Sequence, residues 1–255
     1  MKLVNTLLSL FTPSKSIIIF KKIIRKFFPR RALNTQGVNI EWLHSNELSF
    51  SKVAKQINGK LWEEAKHMSN EIKDHADYVL SSQNVKMGGG GMYPFLYFLT
   101  RVLNPENVLE TGVASGYSSL AFLLAMDKNQ KGRLFSSDFP YFRNKNPEMY
   151  IGVLVHDYLK SRWSLRIDGD EKNLKAFFKE TDSFDIAHYD SDKSYEGRSF
   201  FMSSIASKMT KDSIILMDDI QDNPFFMDYV LSKNIENWNV FKFEGKYIGM
   251  IGSIE

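Results

Sequence analysis

Apolar and polar positions along the chain change rhythm twice. Between residues 41 and 86, Leu61, Trp62, Ala65, Met68 and Ile72 recur at the steps that place side chains on one helical face, so this stretch is expected to be mostly helical. The glycines at 88–91 break the pattern. The MYPFLYFLTRVL that follows reads as a buried helix ending at Asn104-Pro105. From Asn107 onward, short β-rich runs alternate with helical stretches: NVLE (107–110), RLFSS (133–137), SLRI (164–167), FDIAHY (184–189) and SIILM (213–217). That alternation predicts βαβ units and a doubly wound, mostly parallel α/β sheet. The tail segments WNVFKF and YIGMIG are expected to form a hairpin around Glu244-Gly245.

Four of these strands end in acids: Glu110 closes the first, Asp138 follows the second, Asp190 the fourth, and Asp218-Asp219 the fifth. Parallel strands put all such ends on one edge, where ligands bind in open α/β sheets, so the acids are expected to meet in a single site. The loop Glu110-Thr-Gly112-Val-Ala-Ser-Gly116-Tyr-Ser118-Ser119 joins the first strand to the helix YSSLAFLLAM. Its glycines allow a tight turn and a close backbone approach, and the helix offers unpaired N–H groups. The spacing is G-x-x-x-G rather than the G-x-G-x-x-G of dinucleotide sites, and an acid precedes the first glycine. A carboxylate there repels a pyrophosphate and suits a cationic amino group, which points to the amino-acid end of S-adenosylmethionine. Asp138, 28 residues after Glu110, is placed to take ribose hydroxyls.

The stretch VLETGVASGYSS resembles the first motif of class I S-adenosylmethionine-dependent methyltransferases, and within them the small O-methyltransferases with an E-x-G-x-x-x-G-Y-S loop. The resemblance implies a Rossmann-like, seven-stranded sheet whose last strand is reversed. It also implies that Glu110, Gly112, Ser115, Gly116, Tyr117 and Ser118 line the methionine end, that Asp138 binds ribose and that Asp168-Gly169-Asp170 lie near adenine. Met87 stands close to the position of a methionine that covers the cofactor in related enzymes.

Carboxylates converging on one edge repel one another unless a cation neutralises them, and hard oxygen ligands suit Mg²⁺ or Ca²⁺. The segments Tyr189-Asp190-Ser191-Asp192-Lys193-Ser194-Tyr195-Glu196-Gly197 and Met217-Asp218-Asp219-Ile220 resemble those of the divalent-metal O-methyltransferases, the catechol and caffeoyl-coenzyme A types among them. By that resemblance Asp190, Asp218 and Asp219 are metal ligands, with Mg²⁺ the expected ion. Asp190 also belongs to the cofactor-binding residues and acts in catalysis, and Lys193 is the base candidate. Asp219 stands where that family has asparagine. The run HYDSDKSYEG also resembles the bacterial group of macrocin O-methyltransferase and cephalosporin hydroxylase, where a histidine is common at the place of Lys193. That group acts on sugars and other natural products, so the implied acceptor is a hydroxyl of a small molecule or glycan. Alternatives on the same scaffold are a hydroxylase and a cofactor-binding homologue without turnover. Asp192 and Glu196 are also readable as capping groups for the next helix, and His188 as a buried residue behind the site. Residues 139–163 and 221–236 are expected to shape the acceptor pocket.

Composition adds exclusions. The 43% hydrophobic and 25% charged content is that of a globular chain, and the absence of cysteine rules out disulfides and cysteine-ligated zinc. No apolar run reaches the about 20 residues that span a bilayer, and a cytoplasmic location is expected, peripheral to the membrane if the basic arm binds lipid. The net charge of +3 is uneven. Residues 1–40 hold eight Lys and Arg and no acid, leaving 25 basic against 30 acidic residues in the rest. An acidic body argues against nucleic acid as the main partner. The chain divides into a basic arm (1–35), a helical extension (36–86) and the methyltransferase-like domain (87–255).

Within the arm, Phe20, Ile23, Ile24 and Phe27 recur at helical spacing while Lys21, Lys22, Arg25 and Lys26 fill the opposite face. Residues 15–31 therefore read either as an interfacial helix on anionic lipid or as a helix packed on its own domain or on a second copy of the chain. Under the first reading, deleting residues 1–35 abolishes co-sedimentation with anionic liposomes. Equal pelleting of the full-length and shortened proteins assigns the stripe to protein packing.

Overall fold

The computed structural model describes residues 36–83, 89–140 and 146–254. Thus residues 1–35 and Met87 lie outside the described residues. The chain opens with α1 (Gln36–Ser45), β1 (Glu47–Leu48), α2 (Phe50–Ser81) and α3 (Tyr93–Leu103). There follow β2 (Asn107–Thr111), α4 (Tyr117–Asn129), β3 (Arg133–Ser137), β4 (Trp163–Arg166), α5 (Asp170–Phe177), β5 (Phe184–Tyr189) and α6 (Tyr195–Ile205). The order closes with β6 (Met209–Met217), α7 (Phe225–Ser232), β7 (Trp238–Phe243) and β8 (Lys246–Ile251).

The strands form one sheet in the order β1-β7-β8-β6-β5-β2-β3-β4. Strands β6, β5, β2, β3 and β4 pair in parallel, while β8 runs antiparallel to both β6 and β7. The doubly wound α/β expectation and the reversed strand are both met. The expected count of seven strands is corrected to eight among the described residues: β1 pairs with β7 through Glu47↔Val240 and Leu48↔Phe241. Two residues are too few for any alternation to announce a strand.

Side chains alternate across the sheet, and both faces are covered. Val108, Leu134, Ile186 and Ile214 pack beneath α2, α3 and α4 with Trp62, Phe95 and Phe122. Leu109, Phe135, Ala187 and Met217 face the other way into a core with Leu174, Phe201 and Phe226. The 36–86 extension is built into these layers wherever it is described. Trp42 of α1 stacks on Trp238 at 4.9 Å, and Asn39 donates to the carbonyls of Ile220 and Asn223. α2 is interrupted at Asn58 (φ −155°, ψ 95°), whose Oδ1 accepts from Leu61 N at 3.1 Å and so caps the second half. As expected, α3 stops before Pro105, with Asn104 left-handed at φ 48°. The β7–β8 hairpin turns at Glu244 and Gly245, both with positive φ.

α2 and α3 are joined by a polar bridge. Glu64 accepts from Tyr97 Oη and from Arg101 Nε, each at 2.7 Å. Arg101 holds the Glu64 carboxyl below its ordinary 4.5 against the opposing effect of burial. A depressed folded value means that the bridge stabilises fully above the ordinary value and fades as the acid protonates below it. Glu64→Gln is expected to cost about 1 kcal/mol at pH 7. In urea melts the gap from wild type should close as the pH falls below 4.5; a gap that stays constant with pH would assign the cost to packing.

Candidate active site

Hydrogen bonds extend the central strands onto one edge. Gly112 N donates to Ser137 O, Asp138 N to Arg166 O, Asp190 N to Thr111 O and Asp218 N to Tyr189 O, at 2.8–2.9 Å. The acids at the strand ends therefore share a rim, and His188 beneath it feels Asp218, Asp190 and Glu110 together.

Glu110 is fully buried and accepts three hydroxyls at 2.6 Å, from Ser118, Ser119 and Ser136. Two of these come from the first turn of α4 and one from β3, so the carboxylate ties the loop's helix to the neighbouring strand. Asp138 grips the loop from outside: its Oδ2 accepts from Val113 N (3.0 Å) and Ala114 N (2.8 Å), and Oδ1 from Phe139 N (2.6 Å). Burial pushes its carboxyl above the ordinary value in spite of those three amides. The turn itself requires glycine. Gly112 sits at φ +85°, where a Cβ would lie 2.3 Å from Asp190 O, and Gly116 at φ +102°, 2.9 Å from Gly152 Cα. Ser115 is buried, and the Tyr117 ring lies 5.6 Å from that of Tyr93.

Asp170 accepts from Ser137 Oγ at 2.6 Å and from Ser191 Oγ, linking the ends of β3 and β5. Gly169 precedes α5 at φ +89°. Asp168 turns away to pair with Lys172 at 3.0 Å, with half its side chain in solvent. Beside the loop, Gly152, His75, His156 and Trp163 line a cavity of about 700 Å³. This part of the expected pocket segment 139–163 forms 3₁₀ turns where a crossover helix is usual.

The second cluster surrounds Lys193. Its Nζ lies 2.9 Å from Asp190 Oδ1 and contacts Asp219 Oδ2, and Lys246 Nζ reaches Asp219 Oδ1 at 3.2 Å. Asp218 faces the buried His188 at 3.4 Å. Burial, and after it the Asp218 charge, pushes Asp190 up to about 6. Burial works against the Lys193 ammonium, yet Asp190 and Asp219 hold it well above the ordinary value, the direction opposite to that which a base requires. Burial also works to raise Asp219, but Lys193 outweighs it. Oδ1 of Asp218 is buried without a hydrogen-bond partner. Among the described residues, no three His, Cys, Asp or Glu side chains form a ready metal cluster.

Arg198, fully buried, donates through Nη2 to the carbonyls of Asp218 (3.0 Å) and Asp219 (2.7 Å) and so clamps the turn in which Asp219 is left-handed at φ +53°. Gly91 lets the chain pass over the site, because a Cβ there would sit 2.2 Å from Asp218 Oδ2. Arg198, Lys246, Gly91 and Ser136 escape sequence reasoning. For Ser136 the signal was two serines closing an otherwise apolar strand. The α6 cap is Ser194, which accepts from Gly197 N at 3.0 Å, while Asp192 accepts from Ser194 N at 3.1 Å.

Residues 109–220 match the family model described as a methyltransferase domain. No curated protein matches the chain. Among solved structures, an O-methyltransferase from Bacillus cereus in complex with SAH is similar at TM-score 0.55 and 14% identity, over 71% of this chain and 90% of that one. TomG of Streptomyces achromogenes, an O-methyltransferase involved in tomaymycin synthesis and bound to SAM, gives 0.53 and 11%, over 72% and 89%. The SAH-bound Podospora anserina methyltransferase PaMTH1 gives 0.51 and 13%, over 78% and 97%.

Arg198→Ala leaves both carbonyls unpaired and opens a cavity, and is expected to cost about 3 kcal/mol. A urea midpoint equal to that of wild type would show that the Asp218-Asp219 turn needs no clamp.

Proposed function

We propose that this chain, whose residues 109–220 match a methyltransferase-domain model, moves the methyl group of S-adenosylmethionine to a hydroxyl of a small molecule or glycan, with a divalent cation, Mg²⁺, at Asp190, Asp218 and Asp219. The observation that carries the reading is the shared rim, where strand-end acids from Glu110 to Asp219 meet beside a glycine turn.

In this reading the Gly112–Gly116 turn lets the backbone approach the methionine end, and Glu110 places negative charge behind it for the ammonium group. Asp138 fixes the loop and lies beside the ribose, and Asp170 organises the adenine side. Met87 is assigned to the cofactor's cover by resemblance alone. With S-adenosylmethionine held there, its sulfonium would supply the methyl group: the O–CH₃ bond would form as the S–CH₃ bond breaks, releasing S-adenosylhomocysteine and passing the acceptor's proton to solvent.

The donor chemistry at the second cluster suits a hard cation. Asp218 presents a buried oxygen without a hydrogen bond, and after burial its charge raises the cost of charge on Asp190. When bound, such an ion acidifies the acceptor hydroxyl. Lys193 in its present pose supplies charge beside the acceptor oxygen, and it becomes a base candidate only after leaving the two carboxylates. The reading of residues 15–31 as a lipid-facing helix stands as a separate proposal.

The test is a panel of hydroxylated acceptors incubated with isotopically labelled S-adenosylmethionine, read by mass spectrometry. Label transferred to a hydroxyl oxygen with release of S-adenosylhomocysteine is the expected result. A gain of one oxygen atom would assign a hydroxylase. Tight cofactor binding without turnover over the whole panel would leave a binding homologue.

A further inference from the structure

We propose that Lys193 is a tethered competitor for the cation of this site, its ammonium occupying the position between Asp190 and Asp219 that a divalent ion needs. The inference rests on the metal reading above and adds to it that metal enters only by displacing a side chain of the protein itself.

The position of Lys193 is built. Its carbonyl accepts from Asn223 Nδ2 at 2.7 Å, and the segment before it is fixed where Tyr189 Oη donates to Asp192 O at 2.5 Å. The next residue, Ser194, is the cap of α6. Held from both sides, the side chain extends into the cleft and is only one-third exposed. An ammonium nitrogen at hydrogen-bond distance from two carboxylates stands in the volume that a cation bound by the same oxygens would fill. Asp219 is neutralised twice, since Lys246 approaches it from the β7–β8 turn at 3.2 Å.

The charges do not balance with the lysines alone. Asp218 Oδ1 is buried without a hydrogen bond, so one ammonium between Asp190 and Asp219 leaves Asp218 to the buried His188, 3.4 Å away. A doubly charged ion would draw on all three acids. An ion with near-octahedral oxygen demand and short bonds cannot share that volume with an ammonium group. The two occupants are therefore exclusive, and the affinity measured for the ion is reduced by the work of moving Lys193.

The experiment uses the full-length protein and Mn²⁺ alone as probe, its binding followed by electron paramagnetic resonance and calorimetry. Lys193→Met, which keeps bulk and removes charge, is expected to tighten Mn²⁺ at least about tenfold. Lys193→Arg keeps the cation and should bind Mn²⁺ as weakly as wild type. Asp218→Asn should lose binding in either background. Circular dichroism melts establish that each variant folds; should Lys193→Met fail to fold, Lys246→Met replaces it, with a smaller tightening expected. Equal affinity in wild type and Lys193→Met, or weaker affinity in the variant, overturns the competition and leaves the metal reading standing. No Mn²⁺ binding in any of them overturns both.

Discussion

Parallel strands deliver their C-terminal residues to one edge, and when those residues are acids the edge gathers like charges in a half-buried cleft. Their mutual repulsion is the constraint around which the rest of this site is arranged. Each acid is answered by a different kind of partner. Glu110 takes three serine hydroxyls, Asp138 takes three backbone amides, and Asp190 and Asp219 take the ammonium groups of Lys193 and Lys246. Asp218 takes His188 from below. Dipoles hold Glu110 and Asp138, whereas full charges hold Asp190 and Asp219.

The second requirement is close approach of backbone to backbone. Gly112 passes against the carbonyl of Asp190, Gly116 against Gly152, and Gly91 over the Asp218 carboxylate. Each removes a side chain where two segments of the rim meet, and the left-handed Asp219 is kept in place by Arg198 beneath it. The cleft is thus shaped by omitted side chains as much as by those that line it.

Much of this was legible in the sequence. β3 and β5 are read to the residue because buried parallel strands appear as dense apolar runs bounded by polar ones, and β7 because its turn at Glu244-Gly245 sets its end. The G-x-x-x-G loop and the strand-end acids follow from topology alone. What stayed hidden depends on chain crossings that spacing does not encode. β1 is too short to alternate, and Lys246 reaches Asp219 only because the reversed hairpin folds back along the rim. Arg198 reads as an ordinary helical charge until α6 is seen to pass beneath the Asp218-Asp219 turn. The sequence marks Lys193 as a base candidate, and only the distances add that Asp190 and Asp219 pair with it.

The edge strand β1 and Asn39 of α1 lie far upstream of the matched segment, yet one closes the sheet beside β7 and the other holds the carbonyls that follow Asp219. The boundary of homology is therefore not the boundary of the folding unit. Removing the residues upstream of 87 would strip β7 of its neighbour, leaving a raw row of amides and carbonyls open to intermolecular pairing, and would unbrace the turn after Asp219 in the same cut.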